Sequence, residues 1–190
     1  MLLIVFGGIF ALFWYNEWVY SLPTPIPQDY VEVKPGTAIV LPARLLALNN
    51  KPVFIHFFNP SCPCSRFNIP HFQSLVKAYE GRVNFAAVVL HKKSYTEEEV
   101  RRKLGVDIPI IFDAGLATSC GVYSTPQAVL INTDHKLYYR GNYNKSRYCN
   151  DKNSNYAQMA IDSLLRKRFD VKFNPLALKA YGCELPTCKK

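Results

Sequence analysis

The chain has 190 residues, 49% of them apolar and 19% charged, with a formal net charge of +9 and six cysteines. These values exclude an intrinsically disordered chain and a disulfide-stapled miniprotein, and they fit one ordinary domain with its own core better than a multidomain enzyme. The basic groups (Lys92-Lys93, Arg101 to Lys103, Lys145 to Arg147, Arg166 to Arg168 and Lys189-Lys190) fall on separate segments without an aromatic RNA-binding signature, so no nucleic-acid partner is expected.

Met1 to Tyr15 holds no charged or strongly polar residue, and Trp18, Val19 and Tyr20 carry the apolar segment past Asn16 and Glu17. Together they reach about the 20 residues that a bilayer requires. Trp14, Tyr15, Trp18 and Tyr20 suit an interfacial aromatic belt. With no small-x-small cleavage site before Pro23 and no Lys or Arg ahead of the run, a transmembrane helix over residues 1–20 is expected in preference to a cleaved signal peptide. Pro23, Pro25 and Pro27 then make residues 21–36 an extended linker.

The next elements follow from periodicity. Thr37 to Leu41 is a short strand candidate, and Ala43 to Leu48 offers a turn or two of helix. Val53 to Phe58, apolar except for His56 and bounded by prolines, reads as a strand buried on both faces. Phe67, Phe72, Leu75, Val76 and Tyr79 recur at helical spacing over Cys64 to Tyr79, with a kink expected at Pro70. Val83 to Leu90 is a second strand. Thr96 to Leu104 sets Glu97, Glu98 and Glu99 ahead of Arg101, Arg102 and Lys103, the order that suits a helix dipole. Ile108 to Phe112 is a third strand, and Leu116 to Cys120 is helical. Ala128 to Asn132 and Lys136 to Arg140 form a hairpin about Thr133-Asp134-His135, and Tyr156 to Phe169 is the closing amphipathic helix. This is an α/β order with a mixed sheet over residues 37–172. Residues 173–190 read as a cysteine-containing coil.

Cys62-Pro63-Cys64 stands where the strongest strand ends and the first long helix begins, the place where open α/β sheets carry their chemistry. A cysteine there feels the positive end of the helix dipole, which favours its thiolate. Pro63 suits the first helical position.

The sequence resembles the thioredoxin-like superfamily, in particular its bacterial membrane-anchored thiol-disulfide oxidoreductase branch. The resemblance rests on His56 to Cys64, on Pro70, and on Ser124-Thr125-Pro126-Gln127-Ala128-Val129-Leu130-Ile131, and spans about Val53 to Phe169. It implies a mixed β-sheet flanked by helices, with Cys62 as nucleophile, Cys64 as its redox partner, and Pro63, Thr125 and Pro126 shaping the groove for an extended protein substrate. It also implies that the proline matching Pro126 is cis, that protein thiols and disulfides are the partners, and that no cofactor is needed. The expected location is a bacterial inner membrane, spanned once, with the soluble domain in the periplasm.

One departure stands out. The family places two residues between its cysteines and this chain places one, so Ser65 falls where the second cysteine belongs. Either a labile Cys62–Cys64 disulfide or a resolving thiol elsewhere is expected. Cys120, Cys149, Cys183 and Cys188 are the remaining thiols, and disulfides that fasten loops are the expectation for them, although Cys120 lies near enough to the Thr-Pro loop to approach the site.

A copper-binding protein of the same fold is the principal alternative, since paired cysteines with a histidine would suit Cu(I) or Zn. His71 is the better ligand candidate, His56 reads as a core residue, and His135 sits in the far hairpin turn, so no metal is assigned. Peroxidase chemistry is disfavoured by Asn59 and Ile55 at positions where the peroxiredoxin branch needs Thr or Ser and Pro. A non-catalytic binding module is the third reading, supported by Ser65.

Overall fold

Val53–Phe58, with every side chain buried, is β1 and the centre of a five-stranded sheet. Around it a computed structural model describes residues 1–18, 21–46, 50–91, 94–146, 148–168 and 171–185, without the side chain of residue 16. Expectations placed on Val19, Tyr20, Leu48, Lys92, Lys93, Arg147, Phe169, Cys188, Lys189 and Lys190 lie outside these residues. The helices are α1 (Leu2–Phe13), α2 (Ala43–Leu46), α3 (Pro63–Ala78), α4 (Glu97–Leu104), α5 (Ala114–Ser119), α6 (Tyr156–Leu165) and α7 (Pro175–Leu178). The other strands are β2 (Asn84–Val89), β3 (Ile110–Ile111), β4 (Ser124–Thr125), β5 (Gln127–Ile131), β6 (Leu137–Gly141) and β7 (Cys183–Glu184).

The sheet order is β3-β2-β1-β5-β6, with β2 parallel to β1, β3 parallel to β2, and β5 and β6 antiparallel to their neighbours. The period of two in β1 divides the core. Phe54 and Phe58 face Phe72 and Leu75 of α3, Val100 of α4 and Ile161 of α6, while Val53, Ile55 and Phe57 face Leu45 of α2 and Leu116 of α5. Phe54, Phe57 and Phe58 are fully buried, and each contributes about 2 to 3 kcal/mol through burial. The charge order read in α4 is completed by a capping box between Thr96 and Glu99 and by Gly105 in the left-handed conformation, a backbone state in which glycine is at ease.

Four expectations change. The segment Thr37 to Leu41 makes only a single bridge, Ala38 to Lys136, because it lies against the β5–β6 hairpin turn rather than along a strand. The closing helix stops at Leu165, with Arg166 capping it. At the N-terminus the α-helix ends at Phe13 and passes into a π-helical turn, Trp14–Trp18, where Tyr148 donates a hydrogen bond of 3.1 Å to the Glu17 carboxylate. No helix among the described residues is long and apolar enough to cross a membrane.

The fourth change concerns residues 173–190, which are not coil up to residue 185. They contain α7 and β7, and β7 pairs antiparallel with β4 in a small separate sheet, Ser124 opposite Glu184 and Thr125 opposite Cys183. Asn142 tacks this segment down, its backbone N–H donating to Ala177 O at 2.8 Å and its side chain to Leu176 O at 2.8 Å.

Candidate functional site

The chain leaves β1 through a tight turn built on Asn59. Asn59 Oδ1 accepts from the Ser61 N–H at 3.0 Å, and its carbonyl accepts from the Cys62 N–H at 3.0 Å. The Asn59 N–H in turn donates to Ser65 Oγ at 3.2 Å. Ser65 is fully buried, so the residue standing where a second cysteine was expected is a hydroxyl that fastens the turn. This delivers Cys62 to the N-cap of α3 in extended conformation, with Pro63 as the first residue of a helix 16 residues long. The backbone amides and dipole at such a helix start favour a thiolate.

Three sulfurs meet there. Cys62, Cys64 and Cys183 have sulfur atoms within 4.8 Å of one another, all three side chains buried. Cys62 is bonded to Cys183 in a disulfide that joins α3 to the C-terminal segment. Cys64 is a thiol 3.3 Å from the Cys183 sulfur. The disulfide is thus Cys62–Cys183 and not the Cys62–Cys64 link that was one of the two expectations. Cys183, expected to fasten a loop, instead lies in the site.

Thr125 and Pro126, joined by a cis peptide, run beside the cysteines. Thr125 is buried and pairs with Cys183 across the small sheet. Pro126 borders a cavity of about 380 Å³ together with Cys64, Asn68, Tyr143, Cys149 and Gly182. A larger cavity of about 720 Å³ lies at the other end of β4, bounded by Tyr30, Val122, Tyr123 and Leu185.

Cys120 and Cys149 carry no disulfide, which corrects the expectation that they fasten loops. Cys120 is enclosed by the apolar layer under α5, and burial pushes its thiol up to about 12. Cys149 accepts a hydrogen bond from Asn68 Nδ2 at 3.1 Å, and its thiol is pushed up to about 11 by burial, partly offset by that bond. Both are poor nucleophiles near neutral pH.

No histidine belongs to the sulfur group. His56 lies inside the sheet, its Nδ1 at 2.7 Å from the Tyr143 hydroxyl and its ring stacked on Phe72, and burial lowers its pKa to about 3. His71 sits along α3 with its pKa lowered by burial, and its buried Nε2 has no hydrogen-bond partner. His135 is exposed in the hairpin turn. Cys183 is the site residue to which its own stretch of sequence does not point, and the available signal was Ser65, which leaves Cys62 needing a thiol from elsewhere.

A buried mixed sheet with a cysteine at the start of the helix after its central strand, and a Thr-Pro turn beside it, defines a thioredoxin-like α/β protein. Solved structures of similar shape include a hypothetical protein of Sinorhizobium meliloti 1021, TM-score 0.65 at 20% identity, covering 82% of this chain and 96% of that one. An uncharacterized conserved protein of Geobacillus kaustophilus gives a TM-score of 0.59 at 19% identity, over 83% and 94% of the two chains. The chain belongs to the family described as a domain of unknown function, DUF6436, which matches residues 35–187 and so takes in the segment bearing Cys183. It is also 31% identical, over 92 residues, to the thiol-disulfide oxidoreductase ResA of Halalkalibacterium halodurans. That match covers 47% of this chain and 52% of the relative, so the chain spans about half the length of the curated protein it matches.

Proposed function

We propose that the chain is a thiol-disulfide oxidoreductase in which Cys62 is the nucleophile and protein thiols or disulfides are the substrates. The observation that carries this reading is Cys62 at the N-cap of a long helix with the sulfurs of Cys64 and Cys183 within 4.8 Å, an arrangement able to make and break a disulfide without a cofactor. The likeness to an oxidoreductase over part of the chain supports it. In the forward sense the Cys62 thiolate attacks a substrate disulfide and forms a mixed disulfide, and a second thiol of the site displaces the substrate. The test is the pH dependence of alkylation of the reduced protein, together with exchange against glutathione disulfide. Cys62 is expected to react well below the ordinary thiol pKa of about 8.5, and Cys62→Ala to abolish exchange. An ordinary pKa with no exchange overturns the reading.

The proposal includes an extracytoplasmic site of action, the periplasmic face of a bacterial inner membrane. A buried disulfide suits an oxidising compartment, and α1, apolar throughout with exposed side chains, offers a surface for lipid. Fractionation of cells expressing the full chain, followed by protease treatment of spheroplasts, checks both points. A chain recovered in the cytosol, or protected inside spheroplasts, overturns the location.

A second reading, capture of a thiophilic ion such as Cu(I), is favoured by the same three sulfurs. Titration of the reduced protein with Cu(I) decides it, since a three-thiolate site loses its stoichiometry on replacement of Cys183 as well as Cys62.

A further inference from the structure

Ser124 and Thr125 form a two-residue strand whose partner is β7, outside the five-stranded sheet. The strand leads directly into Pro126, beside the cysteine cluster. A short strand edge next to a nucleophile is the surface on which an extended polypeptide is held by main-chain hydrogen bonds. Here that edge is already occupied by the chain's own residues, with Cys183 opposite Thr125 and its sulfur bonded to Cys62. The geometry is that of a substrate peptide caught as a mixed disulfide, except that the peptide is covalently part of the protein.

The fit is built into the sequence on both sides. At Gly182 a Cβ would run into the carbonyl oxygen of Thr125 and, at 2.5 Å, into Ser124 Oγ, so the backbone approaches β4 more closely than any residue but glycine permits. Thr24, buried in the linker, donates its N–H to Ala180 O at 2.8 Å and its hydroxyl to Gly182 O at 2.7 Å. Cys62 is fully buried beneath the segment and Cys183 nearly so. Gly182 borders the smaller cavity and Leu185 the larger, so the segment passes between two open spaces at the ends of β4.

We propose that residues 180–185 are a tethered occupant of the substrate groove and that Cys183 is the thiol that resolves the mixed disulfide at Cys62. The inference rests on the oxidoreductase reading above. In the reduced protein the segment lifts from β4, joining the two cavities into one groove, and a substrate disulfide enters. The Cys62 thiolate attacks one substrate sulfur, forming the Cys62–substrate bond and breaking the substrate disulfide. The first substrate thiolate leaves and takes a proton. The segment then returns, the Cys183 thiolate attacks the Cys62 sulfur, the Cys62–Cys183 bond forms, and the second substrate thiolate leaves and takes a proton. The substrate gains two electrons and two protons, which the Cys62 and Cys183 thiols lose. An external dithiol reductant restores them by the reverse exchange. The docked segment therefore closes the groove in the oxidised protein.

The test uses the full chain, reduced and mixed in a single turnover with a symmetric peptide disulfide, then acid-quenched and weighed by mass spectrometry. Wild type and Cys64→Ser are expected to release both peptide halves and end with a Cys62–Cys183 disulfide. Cys183→Ser is expected to stop at the Cys62–peptide adduct, prolonging its life by at least about tenfold. Gly182→Val keeps every thiol but undocks the segment, so Cys62 in the reduced protein should alkylate faster and its adduct resolve more slowly, each by about tenfold for a docking loss of about 1.4 kcal/mol. An adduct that resolves normally in Cys183→Ser, or one that accumulates in Cys64→Ser, overturns the inference and leaves the oxidoreductase reading standing. Unchanged alkylation and resolution in Gly182→Val overturn the docking. If Cys62 forms no adduct in any variant, the oxidoreductase reading falls and the inference with it.

Discussion

Thr125 and Cys183 stand opposite each other in an antiparallel pair, and through Cys183 the strand pair is bonded to Cys62 at the start of α3. The Thr-Pro turn and the C-terminal segment, neither of which belongs to the five-stranded sheet, are thereby locked to α3. The bonded residues are 121 apart in sequence.

A crosslink across so long a loop acts strongly on the unfolded chain. Loop-closure entropy sets its contribution at up to about 5 kcal/mol, and native disulfides typically contribute about 2 to 4. Oxidised protein is expected to unfold at higher urea concentration than the same protein with a reductant. Cys183→Ser should show no such difference. Equal midpoints for oxidised and reduced wild type would mean that the disulfide does not persist in solution.

Much of the fold was legible because the signals were local. Val53 to Phe58 announces a doubly buried strand by a run that is apolar except for His56, and Thr96 to Leu104 announces a helix by three glutamates set ahead of three basic residues. The cysteine at the start of α3 was legible for the same reason. Cys183 was not, since its place depends on a two-residue strand pair and on Gly182 fitting against Ser124 and Thr125, contacts that leave no periodicity in either segment. At the N-terminus the α-helix covers only part of the span expected over residues 1–20, of which residues 19 and 20 lie outside the described ones. The apolar run is present, but the α-helix ends at Phe13 and Glu17 is engaged by Tyr148.

Ser65 offers a way to restore the spacing that the thioredoxin-like superfamily uses. Its hydroxyl accepts from the Asn59 N–H, so Ser65→Cys weakens one buried bond at a cost of about 1 kcal/mol. The introduced thiol lies one helical turn from Cys62 and competes with Cys183 for it. Disulfide mapping of the oxidised variant is expected to show a Cys62 link to position 65 alongside the link to Cys183. A map identical to that of wild type would show that the turn holds the two positions too far apart.

Thr24 makes a more selective prediction. Its hydroxyl is buried between Gly182 O, at 2.7 Å, and Ser124 Oγ, at 3.1 Å. Thr24→Val keeps the shape and removes both bonds, leaving the Gly182 carbonyl without that donor, at a cost of about 1 to 3 kcal/mol. Hydrogen exchange by mass spectrometry should quicken in peptides covering residues 176–185 and stay unchanged in β1. Uniform quickening across the sheet would mean that Thr24 supports the whole fold rather than the segment.

His56 sets the response to acid. It is fully buried in β1, and burial lowers its pKa from 6.5 to about 3. Above pH 6.5 the imidazole is neutral in both folded and unfolded chains and has no effect on the pH dependence of stability. Below that, the unfolded chain takes up a proton that the folded chain refuses, so stability falls as pH drops through 6.5 and goes on falling towards about 3. Between pH 7.5 and pH 5, above the carboxylate range, the loss from this one group is about 2 kcal/mol. His71, also lowered by burial, adds in the same direction. His56→Gln keeps a polar partner for the Tyr143 hydroxyl and does not titrate. Guanidinium unfolding at pH 7.5 and pH 5 should therefore show a smaller loss for the variant than for wild type, whatever their difference at pH 7.5. Parallel losses in the two proteins would show that the folded chain accommodates the charged imidazole, in conflict with its enclosure by Phe58, Phe72 and Tyr143.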